Sequence, residues 1–115
     1  MQEIWKDVVG YEGLYKVSNL GRVKSLQRKG TALNDRILKY SFDIDGYRQV
    51  ILSKDNKRKC VKIHRLVGLA FLCNENNLPC INHKDENKEN NSVENLEWCT
   101  NLENIKHSIK RRLYS

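Results

Sequence analysis

Along the first half of the chain, apolar and polar residues alternate in short runs separated by turn-forming clusters. Leu14-Tyr15-Lys16-Val17 and Arg22-Val23-Lys24-Ser25-Leu26 alternate on either side of Ser18-Asn19-Leu20-Gly21. Period-two runs flanking a Ser/Asn/Gly cluster predict a β-hairpin. Asp45-Gly46 marks a second turn, between the runs Arg36 to Phe42 and Tyr47 to Ser53. A further strand is expected over Cys60 to Ile63, after the polar turn Lys54-Asp55-Asn56-Lys57.

From His64 the period lengthens. Arg65 to Leu72 fits a short helix with Leu66, Leu69 and Ala70 turned inward. Asn74 to Pro79 reads as a loop and Cys80-Ile81-Asn82-His83 as a strand. Lys84 to Glu94 is dense in Asn and acidic residues, whose side chains bond nearby backbone and favour turns. Leu96-Glu97-Trp98-Cys99 alternates again. Thr100 with Glu103 forms a capping box ahead of a helix expected from Asn101 to about Arg112, with Leu102, Ile105 and Ile109 on one stripe. The architecture expected is α+β. Short antiparallel hairpins fill the N-terminal half, residues 1–55, and a strand–loop–strand–helix unit fills residues 56–115, the two sharing one compact body.

Charge adds a partner to this picture. The 115 residues carry 21 Lys and Arg against 14 Asp and Glu, a net +7. A basic surface on a small chain points to an anionic macromolecule, nucleic acid before others. Basic residues stud the predicted strands, where alternation would gather them on one face. The candidate phosphate contacts are Arg22, Lys24, Arg48, Arg65, Lys84, Lys110 and Arg111, with His64 and His107. No apolar run approaches the roughly 20 residues a spanning helix needs, and the opening residues have no signal-peptide pattern, so no membrane partner is expected. The four cysteines, Cys60, Cys73, Cys80 and Cys99, form no CxxC pair, which argues against a structural zinc and for reduced thiols acting mostly as small buried hydrophobes in a cytoplasm.

The strand–loop–strand–helix order also gathers chemistry. If the two strands pair antiparallel, His83 at the end of one lies beside Asn95 at the start of the other. Asn95 could then hold the imidazole ring, and Asn104 on the following helix would project toward Asn82 and His83. Phosphodiester hydrolysis needs a base near neutral pKa, which His supplies, and a divalent cation on the phosphate. A hard cation needs one or two protein oxygens, which amides offer.

At these residues the chain resembles the HNH endonucleases with the ββα-metal (His-Me finger) fold, through Ile81-Asn82-His83-Lys84-Asp85 on to Asn95-Leu96-Glu97-Trp98-Cys99-Thr100 and Asn104. The upstream His64-Arg65-Leu66-Val67 fits the phage and intron subgroup. Trp5-Lys6-Asp7-Val8-Val9-Gly10-Tyr11-Glu12-Gly13-Leu14-Tyr15 through Leu26 is similar to the NUMOD4 module of homing endonucleases, which implies a DNA-contacting N-terminal region. The resemblance implies His83 as general base, Asn95 as the residue orienting its ring, and Asn82 and Asn104 as ligands of one Mg²⁺ or Mn²⁺. It further implies double-stranded DNA as substrate, with no small-molecule substrate, cut to a 5′-phosphate and a 3′-hydroxyl. A monomer would nick one strand, and a homodimer could cut both. A phage- or mobile-element-encoded protein in a bacterial cytoplasm is the implied setting.

Two positions depart from the family. Asn82 stands where many members have Asp, and an amide is the weaker ligand. Glu86 stands where Gly is usual, so a turn with positive φ there would be strained. Two rival readings remain, a DNA-binding module that kept the fold without catalysis and a zinc-stabilised interaction module. Asp85 is a minor ligand candidate, while Trp5, Trp98, Tyr11 and Tyr15 are most simply packing residues.

Overall fold

A computed structural model of the chain describes residues 2–26 and 34–100. These form a mixed fold of mostly antiparallel strands with one α-helix. Strands β1 (Trp5–Asp7), β2 (Tyr15–Ser18), β3 (Val23–Ser25) and β4 (Arg36–Ile37) make one sheet in that order. The predicted hairpin is β2–β3, with Val17 opposite Val23 and Lys16 opposite Lys24. Its turn closes because the Ser18 hydroxyl accepts the Leu20 and Arg22 N–H groups and Gly21 takes φ +89°.

The run Arg36 to Phe42 does not form one strand. Its start, β4, pairs with β3, and its end, β5 (Ser41–Phe42), pairs with β6 (Arg48–Lys54) in a second sheet. Alternation alone carries no mark of such a change of partner. The turn between β5 and β6 is built on Asp43, whose Oδ1 accepts the N–H groups of Asp45 and Tyr47, each at 2.9 Å. Strand β7 (Lys57–Lys62) completes the second sheet and starts earlier than expected. Asp55 and Asn56 both take positive φ, 54° and 63°, as a two-residue hairpin loop requires.

Ile63, expected at a strand end, instead opens the helix α1 (Ile63–Phe71). Ile63, Leu66, Val67 and Ala70 fall at i, i+3, i+4 and i+7, and this stripe faces the core. Leu69, expected to face inward, is off the stripe and 48% exposed. The last pair of strands, β8 (Cys80–His83) and β9 (Leu96–Cys99), forms where the alternation predicted, with His83 opposite Leu96 and Cys80 opposite Cys99. Of the cysteines only Cys99 is buried; Cys60 and Cys73 are exposed, so the expectation of small buried hydrophobes fails for these two. Among the described residues no helix is long and apolar enough to cross a membrane.

One apolar cluster joins the two larger sheets, the helix and the last hairpin. Val17 and Val23 from the first sheet, Val50 and Leu52 from the second, Leu66 and Val67 from α1, and Ile81 and Leu96 from the last hairpin are all buried in it. The Tyr15 hydroxyl accepts the Ser53 N–H at 3.0 Å and ties the first sheet to the second. The boundary expected near residue 55 falls at the β6–β7 turn, between strands paired from Gln49 opposite Lys62 to Lys54 opposite Lys57.

The helix lies so close to β8 and β9 that a methyl group at Gly68 would overlap Ile81 and come within 3.3 Å of Trp98. Gly68→Ala should therefore destabilise by about 1–3 kcal/mol through overpacking. On an open helix face the same change would stabilise by up to about 1 kcal/mol. Urea unfolding of both chains checks the sign, and a stabilised Gly68→Ala chain would contradict the packing described.

Candidate active site

The β8–β9 ladder runs one pair past the strands, where the Lys84 N–H donates to the Asn95 carbonyl at 2.7 Å. Between these points the Asn-rich segment folds on its own side chains. Asp85 Oδ1 accepts the Asn87 N–H, Asn87 Oδ1 accepts the Glu89 N–H, and Asn90 Nδ2 donates to Asp85 Oδ2. These bonds hold the Asp85 carboxyl below its usual range, the Asn90 amide contributing most and the Asn87 N–H next. They also occupy both of its oxygens, as befits a loop-former rather than a metal ligand. Glu86 takes φ 65°, so the strained position expected at this residue is present.

Asn95 was expected on the His83 ring, and the structure places it elsewhere. Its Oδ1 accepts the Asp85 N–H at 3.0 Å, and its Nδ2 donates to Asp85 Oδ1 and to the Asn90 carbonyl. Closing the loop uses the whole amide. The ring belongs to Asn91, whose Oδ1 lies 2.7 Å from His83 Nε2. Because that oxygen can only accept, Nε2 carries the proton and Nδ1 keeps the lone pair. Nothing in the sequence separates Asn91 from the other asparagines of the loop. Its role comes from burial, at 4% exposure, and from a neighbour far away in the chain. Gly21 packs so closely that a Cβ there would lie 2.9 Å from the Asn91 Cβ, and the Val93 N–H donates to the Asn19 carbonyl at 2.8 Å. The N-terminal hairpin turn thus seats the residue that holds His83.

His83 is itself buried and sits in a cluster of three rings. The Tyr47 ring stacks on His83 at 5.8 Å and on His64 at 5.0 Å, and the two imidazoles are 5.1 Å apart. Burial lowers the His83 pKa below its ordinary value, with the Asn91 bond and the Asp85 charge opposing. His64 is lowered to about 3 by burial first, then by the charges of His83, Lys62 and Arg65. Counted above among the phosphate contacts, His64 is only 7% exposed, because the first turn of α1 faces the core. It belongs to the ring cluster instead. Tyr47 was missed in the sequence, where it reads as an ordinary strand aromatic.

Asn82 alternates to the other face of β8, and its Nδ2 donates to Glu97 Oε1 at 3.0 Å from directly across the ladder. The carboxylate absent at position 82 is therefore present one strand away, a second residue that the sequence reading missed. Together the Asn82 carbonyl and the Glu97 carboxylate form an all-oxygen donor pair suited to a hard cation. Among the described residues no group of three or more His, Cys, Asp and Glu is placed to hold a metal ion. Asn104, His107, Lys110, Arg111 and the helix expected from Asn101 lie outside the described residues.

Four of the remaining basic candidates have partners, and three of these, Lys24, Arg48 and Arg65, are partly buried. Arg22 pairs with Glu3 through two nitrogens, and Lys24 lies 3.8 Å from Asp35 and 4.4 Å from the Trp5 ring centre. Arg48 pairs with Glu89 at 3.2 Å, Arg65 donates to the Pro79 carbonyl, and Lys84 is exposed.

Residues 3–53 match the NUMOD4 motif family. Over 98 residues the chain is 43% identical to the uncharacterized HNH endonuclease L245 of Acanthamoeba polyphaga mimivirus, covering 85% of this chain and 28% of that protein. It is 38% identical over 107 residues to the DNA endonuclease I-HmuI of Bacillus phage SP01, covering 93% of this chain and 58% of the relative. A solved structure of the HNH homing endonuclease I-HmuI, concerned with DNA binding and cleavage, superposes with a TM-score of 0.79 at 39% identity, covering 97% of this chain and 61% of that one. The chain thus spans less than two thirds of the length of these relatives.

The buried imidazoles make stability depend on pH. Below pH 6.5 the unfolded chain takes up a proton at position 64 that the folded chain refuses down to about 3, so stability falls as the solution is acidified. Between pH 6.5 and about pH 5 this costs roughly 2 kcal/mol at position 64, and His64→Phe should lose that much less over the same interval. Urea unfolding at both pH values checks it, and equal losses in the two chains would contradict the burial described.

Proposed function

Since the chain belongs to the HNH homing endonucleases that carry a NUMOD4 motif, we propose that it is a metal-dependent DNA endonuclease with His83 as its general base. The observation that carries this reading is the His83 ring itself. It is buried, its pKa lies below the ordinary value, and Asn91 holds it with the Nε2 proton engaged. Such a ring is unprotonated near neutral pH and offers Nδ1 to a water proton.

In the proposed reaction the water loses its proton to Nδ1 as its oxygen bonds to phosphorus. The bond to the 3′ oxygen breaks, and that oxygen takes a proton from solvent, leaving a 5′-phosphate and a 3′-hydroxyl. Asn82, Glu97 and Asn104 are the residues that would hold Mg²⁺ or Mn²⁺, which when bound would offset the charge building on the phosphate. The net charge of +7 favours approach to a polyanion, and double-stranded DNA is the substrate proposed. One chain has one base, so a monomer nicks a single strand and cutting both takes a dimer or two events. A phage or mobile-element protein acting in a host cytoplasm is the setting that suits its viral relatives.

The amide at Asn82 favours a second reading, a DNA-binding module with weak catalysis. Incubation of the chain with supercoiled plasmid and Mg²⁺ or Mn²⁺ separates the two. Wild type should nick, His83→Ala should be slower by about 10²–10⁴-fold, and Glu97→Gln should need more metal for the same rate. Nicking that survives in His83→Ala, or none in wild type at any metal concentration, would overturn the proposal.

A further inference from the structure

A general base needs more than the right pKa. Its lone pair must point at one place, because a misplacement of about 1 Å can cost on the order of 10²-fold in rate. The imidazole of His83 hangs on two rotatable bonds at the end of β8, where the ladder gives way to a loop built on side chains. The hydrogen bond from Nε2 to Asn91 fixes one point of the ring. A single bond still lets the ring tilt about its own axis.

The cluster of rings supplies the missing restraint. Tyr47 enters from the turn before β6, His64 from the first turn of α1, and His83 from β8, so three separately anchored elements meet in one contact. Tyr47 lies within 30° of parallel to both imidazoles. His64 closes the triangle from the side, its ring tilted 51° to that of His83. Tyr47 is in turn held by cations. The Lys62 and Lys88 ammonium groups lie 5.2 and 4.7 Å from its ring centre, and Lys88 also donates to the Asp45 carbonyl at 2.6 Å. That last bond ties the loop after His83 to the turn that carries Tyr47.

We propose that Tyr47 and His64 are positioning residues that clamp the plane of the His83 ring while Asn91 fixes its rotation. This rests on the reading of His83 as the base. Tyr47 falls within the residues that match the NUMOD4 motif, so that motif would furnish a wall of the active site in addition to any contact with DNA. A flat ring is what positions 47 and 64 must provide. The hydroxyl and the imidazole nitrogens are secondary.

The test compares ring-keeping with ring-removing variants of similar bulk: His64→Phe and Tyr47→Phe against His64→Leu and Tyr47→Leu. Two readouts are taken, plasmid-nicking kcat and KM, and the His83 ring ¹⁵N and ¹H signals by long-range correlation NMR. The Leu variants should lose about 10–100-fold in kcat with KM changed less than about threefold. The Phe variants should stay within about threefold of wild type. The His83 ring should show one Nε2–H tautomer in wild type and in the Phe variants, and a mixture or broadened signals in the Leu variants. Phe variants no better than Leu variants, or His83 signals unchanged by Leu, would overturn the clamp. If wild type fails to nick, the reading of function falls, and the NMR signals alone then decide whether the clamp exists.

Discussion

The hydrogen bond from His83 Nε2 to Asn91 Oδ1 is the contact on which the rest of the site depends. It sets the tautomer, and with it which ring nitrogen can accept a proton. Asn91 can make that bond only because the chain on either side of it is fixed. Asn95 closes the loop onto Asp85 and Asn90, and the Val93 N–H is taken by the Asn19 carbonyl. Gly21, which has no side chain to intrude, lets the first hairpin turn press against Asn91. Behind these contacts stands the common core, in which Ile81 and Leu96 of the last hairpin pack with residues of both sheets and the helix. The N-terminal half is thus part of the frame that holds His83.

Two histidines buried 5.1 Å apart look like an expensive arrangement. The cost is avoided as long as both are neutral, and burial favours the neutral form of each. The same effect that makes the fold sensitive to acid favours the unprotonated form of the His83 ring. Asn82 alternates to the other face of β8, where its amide meets Glu97.

Much of the fold was legible in the sequence where a local rule sufficed. The β2–β3 and β8–β9 strands followed from period-two alternation, and the Gly21 and Gly46 turns from turn chemistry, because those signals are carried by adjacent residues. What depends on distant partners was not legible. Alternation in Arg36 to Phe42 does not say that the run changes sheets, and an apolar Leu69 does not say that its helix turns it outward. In the candidate site, the antiparallel pairing that sets His83 at the end of β8 was legible from the order of the strands. Asn91 could not be told from Asn95, since both are asparagines in one loop and only the fold decides which amide meets the ring. Tyr47 and Glu97 were invisible for the same reason, being brought in by strand pairing and by a turn. The helix that should carry Asn104 lies beyond the described residues.

In the proposed reaction a neutral His83, held through Nε2 by the Asn91 amide, takes the proton from water as DNA is cleaved. The most direct test of this is the pH dependence of the nicking rate in wild type and in Asn91→Asp. In wild type the acid limb of the profile should lie below the ordinary histidine value of 6.5. A carboxylate in place of the amide would stabilise the protonated ring, so Asn91→Asp should move that limb to higher pH. Superimposable acid limbs in the two chains would contradict the claim.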